Sequence, residues 1–79
     1  MKTLHFIQTT SMNNHYIWSA LNHLISLGAK YDVNIEYHTT HETSDEFYDL
    51  YIDCPDGLVS ELVVFYILTS IPELKYIKD

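Results

Sequence analysis

The run His38-Thr39-Thr40-His41-Glu42 holds the densest chemistry in the chain, two imidazoles and a carboxylate within five positions. Imidazole and carboxylate are zinc ligands, yet the run matches neither the helical His-Glu-x-x-His pattern nor its inverted form. In a strand, residues three apart point to opposite faces, so only a loop would bring His38, His41 and Glu42 to one ion. A solvated strand end without metal is the simpler reading. His15 and His23 lie eight residues apart on a helical segment, roughly 12 Å along its axis, too far to share a metal; they read as surface histidines. Cys54 is the single cysteine, which allows no internal disulfide and no cysteine-based zinc site and leans toward a cytoplasmic setting.

Nucleophilic catalysis finds no support. There is no Gly-x-Ser-x-Gly elbow and no glycine-rich phosphate loop. Asp45, Asp49 and Asp53 recur every four residues, roughly 13 Å along a strand, on a face expected to be open, and paired acid–base work also requires a pocket. The expectation is a protein that is not an enzyme and uses no cofactor.

Hydrophobic periodicity supplies the elements that carry these groups. Lys2 to Thr10 alternates, with Leu4 and Phe6 on one side and His5 and Ile7 on the other, and Thr9-Thr10-Ser11 offers a helix cap. From Asn13 to Leu27 the residues Ile17, Trp18, Ala20, Leu21, Leu24, Ile25 and Leu27 follow helical spacing, with Gly28 as the expected stop. Val33, Ile35 and Tyr37 alternate with Asn34, Glu36 and His38 as a half-buried strand, followed by a polar loop from His41 to Glu46. The hairpin returns along Phe47 to Cys54, with Tyr48, Leu50, Ile52 and Cys54 inward and Phe47, Asp49, Tyr51 and Asp53 outward. Pro55-Asp56-Gly57 ends that strand and offers Asp56 as an N-cap. Leu58 to Ser70 then forms a second helix, which Pro72 terminates, and Leu74 to Lys78 is a closing strand. A strand at residues 63–67 is the rival, disfavoured by the length of the segment and its caps.

The resulting order, βαββαβ, is the α+β ferredoxin-like arrangement: a four-stranded antiparallel sheet with two helices on one face, in a single domain spanning residues 1–79. Seventy-nine residues leave room for one core.

Eleven acids against four lysines give a net charge of −7, with no arginine. That composition provides no basic patch for a phosphate backbone, so direct nucleic-acid binding is not expected. The longest apolar run, Leu62 to Leu68, is far short of the roughly 18 residues of a membrane span, so no membrane partner is expected. Nine of the eleven acids fall between Asp32 and Glu61, and no lysine lies between Tyr31 and Leu74. A solvated acidic rim would explain them. So would a docking surface, because acids steer association while the interleaved Phe47, Tyr48 and Tyr51 supply contact area. On this reading Asp45, Glu46, Phe47, Asp49, Tyr51 and Asp53 bind a basic protein partner, itself a nucleic-acid-binding protein. The second helix is apolar over more than one face, which points either to packing on the first helix or to a homodimer contact.

Known βαββαβ families can be compared with these positions. RNA-recognition modules carry aromatics and basic residues on their two central strands; the equivalents, His5, Ile7, Phe47, Asp49, Tyr51 and Asp53, have the aromatics but inverted charge. The arginine of acylphosphatases and the Cys-x-x-Cys of metal chaperones are absent. By size and composition, the chain resembles the small acidic inhibitors that phages and mobile elements direct against host nucleic-acid machinery and against CRISPR or restriction defences. That resemblance implies a non-enzymatic inhibitor. The alternative is a dimeric ferredoxin-like protein that binds or transforms a small ligand using His5, His38 or His41.

Overall fold

Alternating residues of Lys2–Gln8 form strand β1 in the computed structural model, which describes residues 1–10, 14–42 and 46–78. The elements that follow are α1 (Asn14–Lys30), β2 (Glu36–Thr40), β3 (Asp49–Cys54), α2 (Leu58–Ser70) and β4 (Leu74–Ile77). One antiparallel sheet has the strand order β2-β3-β1-β4, the ferredoxin-like topology expected. Of the expected features, Ser11, Asn13 and Asp45 lie outside the described residues.

Register assigns the two sheet faces. Leu4 pairs with Ile52 and Phe6 with Leu50, and all four are buried under the helices with Leu21, Leu24, Val63, Ile67 and Ile71. His5 pairs with Tyr51 and Ile7 with Asp49 on the uncovered face. Gln8 shares the buried parity, and its amide is satisfied: Nε2 donates to the Thr10 carbonyl at 3.0 Å and Oε1 accepts from the Tyr48 N–H at 3.3 Å. Two tyrosines tie the helices together. Tyr16 donates to the Ser70 carbonyl at 2.6 Å and Tyr66 to the Ala20 carbonyl at 3.2 Å.

The element ends differ from expectation for identifiable reasons. Helix α1 does not stop at Gly28. A Cβ there would lie 2.8 Å from the Val33 carbonyl oxygen and 3.0 Å from Ile35 Cδ1, so the glycine serves the close approach of the departing chain while the helix continues to Lys30. The terminator is Asp32, in left-handed geometry at φ 57°. The Asp32 N–H donates to Ala29 at 3.2 Å and the Val33 N–H to Gly28 at 2.7 Å, the paired bonds of a Schellman end. Because Val33 is occupied in closing the helix, β2 starts at Glu36 rather than Val33; Ile35 is nevertheless buried.

Strand β3 begins at Asp49 rather than Phe47. The N-cap of α2 is Gly57, at φ 87°, and not Asp56. Asp56 instead accepts the Gly57 N–H at 2.7 Å, holding the turn one residue earlier. Residues 63–67 are helical, as α2 spans Leu58–Ser70.

Candidate protein-binding face

Strand register gathers residues far apart in sequence into rows across the uncovered face. The central row is His38 on β2, Tyr51 on β3 and His5 on β1, with Ile77 of β4 beyond. The rings of His5 and Tyr51 stack with centroids 4.4 Å apart and planes 8° from parallel, and those of His38 and Tyr51 at 5.0 Å and 10°. Tyr51 is thus sandwiched between two imidazoles. Both faces of the Tyr51 ring are therefore occupied by imidazoles, and that ring itself offers no open face for a nucleobase to stack on.

The next row contains Thr40, Asp49, Ile7 and Lys75. Asp49 has 0 % exposure although it belongs to the uncovered face. Its Oδ1 accepts from His5 Nε2 at 2.8 Å. Asp49 is therefore corrected from a contact residue to a positioning one: its carboxylate holds the His5 ring in the stack and meets no solvent. Replacing Asp49 by alanine is expected to cost about 1–3 kcal/mol, the penalty for removing an acceptor from a largely buried polar pair. Asp53→Ala, on the same strand face, should stay within about 0.5 kcal/mol of the parent. Urea denaturation of both variants checks this, and equal midpoints would remove the positioning role.

The third row sets Glu36 opposite Asp53, which in turn pairs with Thr3. The Thr3 hydroxyl donates to Asp53 Oδ1 at 2.5 Å. Glu36 and Glu42 are exposed and Asp53 is half-exposed; β2 and β3 contain no lysine. Of the other residues expected here, Glu46 is exposed and Phe47 half-buried just ahead of β3.

The Tyr51 hydroxyl donates to Glu42 Oε2. That bond, then desolvation, then the negative charges of Glu42 and Asp49 push the phenol up to about 12 from 10.0. The folded chain therefore holds this proton more tightly than the unfolded one. The stabilisation it gives is complete below pH 10 and is lost as pH rises through about 12. Tyr51→Phe should lack this part of the alkaline decline, and Glu42→Gln should bring the phenolate absorbance of Tyr51 to lower pH. Superimposable alkaline curves for Tyr51→Phe and the parent would contradict the assignment.

His38 and His41 do not converge. His38 stacks on Tyr51 on the open face, whereas the His41 ring lies 4.5 Å from that of Tyr48, which also meets Trp18. Among the described residues no cluster of three or more His, Cys, Asp or Glu is arranged to hold a metal, and no helix is long and apolar enough to cross a membrane.

Alternation places His5, Tyr51 and Asp53 on this face, but it does not bring His38 to the other side of Tyr51. The column of His38, Tyr51 and His5 depends on which residues pair across strands, and the usable signal was the alternation that puts all three on outward positions. No protein-family model, curated protein or solved structure matches the chain.

Proposed function

We propose that this domain is a non-enzymatic binding module whose open sheet face occupies a basic, nucleic-acid-binding site on another protein and so inhibits it, as an anti-defence or anti-CRISPR inhibitor of phage or mobile-element type would. The observation that supports it best is the Glu36–Asp53 pair, two carboxylates directly opposite one another on an uncovered surface. Like charges in that position cost a sheet up to about 1 kcal/mol. A cationic partner would turn the same pair into an attractive feature and would accelerate encounter.

Glu42 and Glu46 extend the acidic surface, and the edge of Tyr51 and the half-buried Phe47 add apolar contact. Asp49 sets the His5 end of the column beneath it. The fixed ring stack makes this a rigid face, which lowers the ordering cost of association.

The test is capture from a nuclease-treated lysate of the encoding organism, followed by titration of the purified partner with the parent chain and with the double variant Glu36→Lys/Asp53→Lys. The variant should bind at least about tenfold more weakly, a loss of roughly 1.4 kcal/mol. Parent binding should weaken as salt rises and should compete with nucleic acid for the partner. Unchanged affinity in the double variant, or a partner that binds nucleic acid and this chain together, would refute the proposal.

A further inference from the structure

We infer that the helical face of this domain is a self-association surface, through which two copies pair with their acidic sheets turned outward. Helix α2 buries Ser60, Val63 and Ile67 and turns a second apolar stripe to solvent. Leu58 is 70 % exposed, Leu62 57 % and Phe65 70 %. The three are spaced i, i+4 and i+7, so they share one stripe. Beside it runs an apolar groove of about 350 Å³ between α2 and the C-terminal end of α1, lined by Leu24, Leu27, Tyr31, Val59, Leu62 and Tyr66. Leu62 belongs to both features, so ridge and groove adjoin on one face. A two-fold interface requires such a surface, since each copy must offer both the projection and its recess.

Area and charge favour a second copy as the occupant. Leu58, Leu62, Phe65 and Tyr31 are all exposed; at roughly 200 Å² per large side chain they present on the order of 500 Å², the larger part of the roughly 800 Å² per partner in a stable interface. The chain carries a net charge of −7, so two copies repel wherever their acids meet. Helix α1 contains no acid and α2 only Glu61; the other acids belong to strands and connecting segments. Helix-to-helix pairing therefore keeps the acidic sheet faces apart while burying the exposed apolar stripe, with Asp32 and Asp56 left at its ends.

Sedimentation velocity of the full chain from about 1 to about 100 µM tests the inference, since association follows concentration. The parent should pass from monomer to dimer over this range. Phe65→Glu should weaken the dimer at least about tenfold, and Leu58→Glu provides a second variant should the first not fold, with circular dichroism confirming structure in each. The parent dimer should persist from about 0.05 to about 0.5 M salt, because an apolar contact is not screened. A parent that stays monomeric throughout, a dimer unaffected by the folded Glu variants, or one that salt dissociates would overturn the inference. Glu36→Lys/Asp53→Lys should dimerise like the parent, so loss of dimerisation and loss of partner binding are separable results.

Discussion

Phe6→Ala is expected to lower the unfolding free energy by about 3–5 kcal/mol, the range for truncating a buried aromatic ring. Phe6 is fully buried on β1, pairs with Leu50 on one side and Tyr76 on the other, and its ring lies 5.2 Å from that of Tyr76. It therefore supports both neighbouring strands and the packing of the helices above them. A chain of 79 residues has a total stability of about 4–12 kcal/mol at ordinary values per residue, so this one truncation removes a large part of it. The denaturation midpoint should fall steeply. A midpoint within the range of surface substitutions would mean that the core does not centre on Phe6.

Ile67→Ala should cost about 2–5 kcal/mol, while Phe65→Ala, two residues away, should leave the midpoint of the dilute chain nearly unchanged. Ile67 is completely buried and its carbonyl accepts the Ile71 N–H at 2.8 Å that closes α2. Phe65 is 70 % exposed, so truncating it creates no cavity in the monomer. The comparison belongs at about 1 µM, where association does not add to stability; at higher concentration Phe65→Ala should lose whatever dimerisation contributes. A larger loss for Phe65→Ala than for Ile67→Ala in the dilute chain would reverse the assigned orientation of α2.

The helix α2 contrast shows where the sequence is least informative. Apolar residues surround α2, and a pattern without a polar face gives no indication of which stripe meets the sheet. The first helix ended later than its glycine suggested because Gly28 answers to the carbonyl of Val33 rather than to the helix end. Asp32 supplies the left-handed terminator, a role that Asp tolerates less readily than Gly and signals less clearly. The same displacement moved the start of β2 to Glu36. On the sheet, Asp49 had the parity of an outward residue and the burial of an inward one, a combination that alternation cannot express.

Order and face were determined by the sequence alone. Period-two alternation along β1 and β3 assigned Leu4, Phe6, Leu50 and Ile52 to the core and His5, Ile7, Asp49, Tyr51 and Asp53 to the open side, because the pleat of a strand is a local property of its backbone. The concentration of acids between the two helices was equally plain from the chain. Only the tertiary structure decided that Tyr51 stands between His5 and His38, that Asp49 is withdrawn from solvent against His5, and that Phe65 rather than Ile67 faces outward. Each of these depends on neighbours brought from elsewhere in the chain, His5 and Asp49 being 44 positions apart. Pairing across strands and packing between layers create such neighbours, and no local pattern encodes them.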